Sequence, residues 1–206
     1  MKKTTLTLFA FIFLFQFSYC QENWDKIDLG NWGFIKMPKT MEVQSGNYKK
    51  ILDYSKRHFS VDAERIVFQQ KGVNSGKNLD TYARVIIRTD FTSETLPNLN
   101  TIEITSQDIS DLNSMYKKEV YAVANNSTYP AKIIRWNGVK IKTLNGNKCI
   151  NYSYIREMKG KQTFSEFYVF WKGTKQHTLN IEYRISDSNI WKHELEDCVN
   201  TFKINN

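Results

Sequence analysis

The chain has 206 residues and a formal net charge of +8, with 41% hydrophobic, 14% aromatic and 24% charged residues. With three Pro and nine Gly this is an ordinary globular composition, which excludes collagen-like, disordered and coiled-coil classes. No apolar run beyond residue 20 approaches the roughly 20 residues of a membrane-spanning helix, which excludes a multi-pass membrane protein.

At the start, Lys2 and Lys3 precede an apolar stretch, Leu6 to Phe15, interrupted by Thr7. Ser18 and Cys20 are the small residues that a cleavage before Gln21 requires. Residues 1–20 thus read as a secretory signal peptide, too short for a transmembrane helix. The alternative is a lipidated Cys20 and a membrane-anchored lipoprotein. A lipoprotein signal wants a small residue before the cysteine, and the bulky Tyr19 stands there. The expected product is exported, periplasmic or secreted. Residues 21–206 then make one domain, since domains usually run to roughly 100–200 residues.

Ile27 to Met37, around Gly30-Asn31-Trp32-Gly33, predicts a hairpin ending at Pro38. Residues 40–60 read as irregular and polar. Glu64–Gln70 and Tyr82–Thr89 read as strands flanking a Gly- and Asn-rich loop at 72–78. Residues 91–104 read as a connection around Pro97. Thr105 to about Asn125 is predicted as a helix, with Thr105 as cap and Asp108 against the N-terminal dipole. Its apolar face is Ile109, Leu112, Met115, Tyr116, Val120 and Val123. From Ala131 the pattern changes to strands at 131–136, 139–144, 148–158, 163–172 and 178–185. Turn signals separate them: Asn137-Gly138, Asn145-Gly146-Asn147, Lys159-Gly160-Lys161 and Gly173-Thr174-Lys175. Short connections imply an antiparallel meander. The last element is a helix from about Asp187 to Phe202. Trp191, Leu195, Cys198, Val199 and Phe202 recur at helical spacing and are expected to dock it on the sheet.

Cys149 and Cys198 are the cysteines beyond the signal. They can pair as one disulfide in an oxidising compartment, or serve as two separate buried thiols. His58, His177 and His193 are isolated from one another and read as surface or edge histidines; neither they nor the cysteines have metal-ligand spacing. No nucleophile elbow, Walker loop or dinucleotide fingerprint is present. Glu194, Glu196 and Asp197 read as a solvated helix face. No cofactor is expected.

Residues 131–184 carry eleven Lys or Arg against three Glu. Counting turns places Lys142, Lys148, Lys172 and Lys175 at one end of the sheet, and Arg135, Lys140, Lys159 and Lys161 at the other. The first set is a candidate patch for an anionic partner; dispersed solubilising lysines are the alternative. Tyr152, Tyr154, Phe164, Phe167, Tyr168, Phe170 and Trp171 cluster on two adjacent strands. They read as core pairs, or as a groove between sheet and helix for an apolar ligand.

The segments GFIKMPKTMEVQSG (33–46), ERIVFQQKG (64–72), YARVIIRT (82–89), VKIKTLNGNKCINYSYIRE (139–157) and LNIEYRISDSNIWKHELEDCVNTFKI (179–204) resemble the PsbP-like family. That fold is also seen in a Ran-binding Mog-type protein. The last segment carries most of the resemblance: a strand ending Tyr183-Arg184, a turn, and Trp191 opening a terminal helix. The resemblance implies an α+β domain with a central antiparallel sheet flanked by helices, an α-β-α sandwich. The best-known member is an extrinsic subunit of the photosynthetic oxygen-evolving complex, and its functional residues do not map onto this chain. Fold does not imply function. The expected role is an exported, non-enzymatic binding or accessory module for an envelope protein or anionic polymer, with no nucleic acid as partner. A carrier of a small apolar ligand and a hydrolase with an unrecognised site are the alternatives.

Overall fold

Two antiparallel sheets carry the fold. The computed structural model describes residues 24–30, 33–45, 63–126 and 130–204. The expected signal peptide, with its cleavage between Cys20 and Gln21, lies outside the described residues.

The strands are β1 (Asp25–Asp28), β2 (Gly33–Met37), β3 (Met41–Val43), β4 (Ala63–Gln70) and β5 (Ala83–Leu96), followed by helix α1 (Ser106–Asn126). Then come β6 (Lys132–Leu144), β7 (Asn147–Met158), β8 (Lys161–Arg184), helix α2 (Ser188–Asn200) and β9 (Lys203–Ile204). The large sheet has the order β3-β4-β5-β8-β7-β6 and the small one β1-β2-β9. Two meanders, β3-β4-β5 and β6-β7-β8, thus lie side by side, and α1 crosses from one to the far edge of the other.

Alternation along the strands gives the large sheet two buried faces. On one face Val85, Ile87, Cys149, Leu179 and Ile181 pack with Trp191, Leu195, Cys198 and Val199 of α2, and with Ile35 and Met37 of β2. On the other, Ile150, Tyr152, Tyr154 and Val169 pack with Tyr116 of α1 and Leu99. Helices on both faces make the expected α-β-α sandwich. Among the described residues no helix is long and apolar enough to cross a membrane.

The ends of α1 match expectation. Asp108 accepts from the Thr105 backbone N–H (2.8 Å) and hydroxyl (2.7 Å), and its own N–H donates back to Thr105 Oγ1. This reciprocal cap holds the Asp108 carboxyl below its ordinary range through those hydrogen bonds.

Three readings need correction. Asn137-Gly138 is no hairpin turn: β6 runs through it and pairs with β7 along its length, with register shifts at Ile133/Arg135 and Trp136/Val139. Gly138 (φ +81) takes the left-handed conformation that such a bulge demands. Asn113 of α1 holds it in place, its Oδ1 accepting from Val139 N (3.1 Å) and Trp136 Nε1 (2.9 Å). Part of 91–104 is strand, because β5 continues to Leu96 opposite Gly173. Met41–Val43, read as irregular, pairs with β4. Of the two readings of the cysteines, the disulfide is the one set aside: Cys149 and Cys198 are separate buried thiols. Cys198 Sγ instead donates to Lys36 O of β2 (3.2 Å) and sits 3.9 Å from Met37 Sδ.

The 24-residue β8 reverses on itself. Residues 161–169 pair with β7 and 173–183 with β5. Contacts join Trp171 to Gln176, Glu166 to Asn180 and Ser165 to Glu182. These pairs step in opposite directions along the chain, the mark of an antiparallel reversal centred on Gly173 (φ +60). The expected turn at Gly173-Thr174-Lys175 is therefore there, within one strand.

Candidate functional site

The Asn145-Gly146 turn between β6 and β7 has positive φ at both residues (+49° and +82°), the conformation that suits a tight hairpin. The β8 reversal at Gly173 lies at the same end of the sheet, one hairpin along. Between them is a hollow of about 300 Å³, lined by Lys148, Lys172, Asn98, Asn100, Asn147 and His177 among others. Asn100 closes one wall: its Oδ1 accepts from Lys148 N (2.7 Å) and its Nδ2 donates to Asn147 Oδ1 (3.4 Å).

The four lysines of the expected patch do share this end, but not one role. Lys148 and Lys172 line the hollow. Lys175 lies beside it, its Nζ 5.4 Å from the Phe91 ring centre. Lys142 faces inward, its Nζ 2.9 Å from Glu166 Oε1 and 5.1 Å from the Tyr168 ring centre, so Glu166 neutralises it. His177, read as a surface or edge histidine, is buried at 2% exposure, with Nδ1 3.0 Å from Thr89 Oγ1. Burial first, then the charges of Lys175 and Lys172, push its pKa down to about 4. His193 is exposed beside Glu196 (3.7 Å), and His58 lies outside the described residues.

A second hollow, about 500 Å³, opens between α1 and the 97–104 segment. Its walls are Leu99, Ile102, Ile104, Leu112, Met115 and Trp171, with Glu103, Asp108 and Asp111 on the rim. Sequence reasoning missed it, because 91–104 reads only as a connection; the Ile102/Ile104 pair facing Leu112/Met115 was the available signal. Leu99 and Trp171 line both hollows, so the two are adjacent.

The expected aromatic cluster divides between the faces of the sheet. Phe164, Tyr168 and Phe170 pack on the α2 side, and Tyr152, Tyr154, Phe167 and Trp171 on the α1 side. Tyr152 is stacked between Tyr116 and Phe167, at 4.7 Å from each ring centre. These rings bury one another, as core pairs do. Beside them α1 leaves part of the sheet open, in two clefts of about 380 and 390 Å³ that share Arg88, Glu119, Tyr152 and Phe167. Two of their cations are paired within the protein, Arg88 with Asp90 (2.6 Å) and Arg156 with Glu182 (3.3 Å), while Arg65 Nε in the first cleft is buried with no hydrogen-bond partner among the described residues. Among the described residues, no group of three His, Cys, Asp or Glu is placed to hold a metal ion.

No family model and no curated protein matches the sequence. Solved structures do match in shape. PsbP from the cyanobacterium Synechocystis superposes with a TM-score of 0.52 at 13% identity, over 89% of this chain and 93% of that one. A Bacteroides thetaiotaomicron protein superposes at 0.47 with 11% identity, over 89% of this chain and 49% of its own. LpqN of Mycobacterium tuberculosis, involved in cell envelope biogenesis, superposes at 0.47 with 9% identity, over 91% and 95%. The sheet order, the helix on each face and the near-complete overlap with cyanobacterial PsbP agree: the chain has the PsbP-like fold.

Proposed function

We propose that the protein is an exported, non-enzymatic binding module that presents the lysine-lined hollow to an anionic group of a cell-envelope component. The observation that carries this reading is that Lys148 and Lys172, from different hairpins, line one concave site with side-chain amides. Cations and neutral donors converging in a hollow are the chemistry that holds an anion. The buried carboxylates Glu166 and Glu182 are engaged by Lys142 and Arg156, which supports a structural rather than a catalytic use for them. The second reading, a carrier of a small apolar ligand, draws support from the apolar hollow at Leu99–Met115 and not from the aromatic cluster.

Polyphosphate is a suitable probe. Binding should weaken with salt, since the Debye length falls from about 10 Å at 0.1 M to about 3 Å at 1 M. Reversing Lys148, Lys172 and Lys175 to Glu should abolish binding. Reversing Arg135, Lys159 and Lys161, toward the other end of the sheet, changes net charge equally and should weaken it only modestly. Equal loss from both sets would refute a local site.

A further inference from the structure

The lysine-lined hollow and the apolar hollow meet at two shared side chains, Leu99 and Trp171. Leu99 is buried at 3% exposure and forms part of the core beneath α1. The Trp171 indole is fixed by its Nε1 donating to Gln176 Oε1 (3.2 Å). The two side chains at this junction are therefore held in place. On one side of it stand two ammonium groups and three asparagines. On the other the lining is Pro97, Leu99, Ile102, Ile104, Leu112 and Met115, with carboxylates on the rim.

Ile102 and Met115 are 37% and 43% exposed, a cost in apolar surface that an occupant would relieve. The rim carboxylates fix which way an occupant lies. Glu103, Asp108 and Asp111 repel an anionic head from the apolar end, while Lys148 and Lys172 attract it to the other. An alkyl chain needs no hydrogen-bond partner along this apolar lining.

We infer that one ligand occupies both hollows: an amphiphile with an anionic head at Lys148 and Lys172 and a single alkyl chain running past Trp171 along Ile102, Leu112 and Met115. This rests on the anion-binding reading above and adds the apolar half of the ligand. Both volumes, about 300 and 500 Å³, lie within the roughly 300–1,000 Å³ typical of small-molecule sites.

The test is a calorimetric titration of the protein with methyl, hexyl and dodecyl phosphate, each below its micelle concentration, and with dodecyltrimethylammonium. Each methylene taken into the groove should tighten binding by about threefold to fourfold, until the groove is filled. Ile102→Asp with Met115→Gln, both at exposed positions, should erase the gain from chain length and leave methyl phosphate and polyphosphate binding unchanged. Lys148→Glu with Lys172→Glu should weaken all three phosphates. Dodecyl phosphate binding no tighter than methyl phosphate, while polyphosphate binds through the lysines, would overturn the amphiphile and leave the anion-binding reading standing. Equal binding of dodecyltrimethylammonium would show adsorption of any alkyl chain and overturn the inference. Failure of the phosphates and of polyphosphate alike would overturn both readings.

Discussion

Replacing Glu182 by glutamine removes the charge that three donors converge on. Tyr82 OH donates to Glu182 at 2.8 Å, Ser165 Oγ at 3.1 Å and Arg156 Nη2 at 3.3 Å. The Glu182 side chain is 5% exposed and that of Arg156 35%. A carboxylate can accept from all three, whereas an amide offers one oxygen and turns an N–H₂ toward the remaining donors. Breaking a fully buried pair costs about 3–5 kcal/mol. Arg156 is partly hydrated, so its stranded charge recovers some of that in water, and about 2–3 kcal/mol is expected for Glu182→Gln. Arg156→Met should cost a similar amount, because it leaves a buried carboxylate with two neutral donors. The double variant strands no charge, so it should cost less than the two single losses together by about 1 kcal/mol or more. Urea denaturation followed by far-ultraviolet circular dichroism gives all four stabilities. Additivity within about 0.5 kcal/mol, or a loss below about 0.5 kcal/mol for Glu182→Gln, would refute the hub.

His177 is buried, with a pKa depressed from 6.5 to about 4. The unfolded chain therefore binds the extra proton first, and the stability that neutral His177 contributes is full above about pH 6.5 and lost as pH falls toward 4. The span corresponds to up to about 3 kcal/mol; His177→Gln should flatten the stability slope across that window, and an unchanged slope would overturn the assignment. A Cβ on Gly33 (φ +149) would lie within 3 Å of the Lys203 carbonyl, in contact with backbone rather than a movable side chain. Gly33→Ala should therefore separate β9 from β2, lowering the melting temperature and exposing the Phe34 and Lys203 amides to hydrogen exchange. Burial pushes the Cys149 thiol up to about 12 and the Cys198 thiol higher still. Neither should react with Ellman's reagent in the native protein, and both should react in denaturant without a reductant; a missing thiol signal after unfolding would show the disulfide after all.

Helices announced themselves through local chemistry. Thr105 and Asp108 form a cap from residues three apart, and the Trp191, Leu195, Cys198 and Phe202 stripe needs only helical geometry to be seen. The turns divided. Gly173 does reverse the chain, but Asn137-Gly138 does not, because a long-range partner decides: Asn113, on α1, takes the Val139 amide and holds the bulge in register. Local turn preference yields there to a contact that no short window contains. The choice between a disulfide and two separate thiols turned on a similar long-range contact. Both point into the same core, as helical and strand periodicity indicated, yet Cys198 faces β2, and sharing a core does not place two sulfurs together. Of the candidate site, the lysines at one end were legible from turn counting, since merging two expected strands into β6 left Lys142, Lys148, Lys172 and Lys175 at the same end; the same merger moved Lys140, expected at the other end, to mid-strand opposite Asn151. Lys142's engagement with Glu166, the burial of His177 and the apolar hollow were not legible, since each depends on side chains far apart in sequence.

The small sheet has a consequence for when the fold can be completed. Its central strand β2 pairs with its neighbour β1 on one side and with β9, at the opposite end of the described chain, on the other: Gly33 lies opposite Ile204. The same strand is gripped by Lys36 N donating to Thr201 Oγ1 and by Cys198 Sγ on Lys36 O. A contact of this sequence separation closes the longest loop in the domain, and topologies rich in such contacts fold slowly. During vectorial synthesis β1 and β2 emerge before α2 and β9. Through that interval Ile35 and Met37, fully buried once folding is complete, have no helix to cover them, and one edge of β2 is open to wrong partners. The small sheet is thus complete only once β9 is available to β2. A slow final phase that vanishes when β1, β2 and β9 are deleted together, with the large sheet left to form by itself, is its kinetic signature.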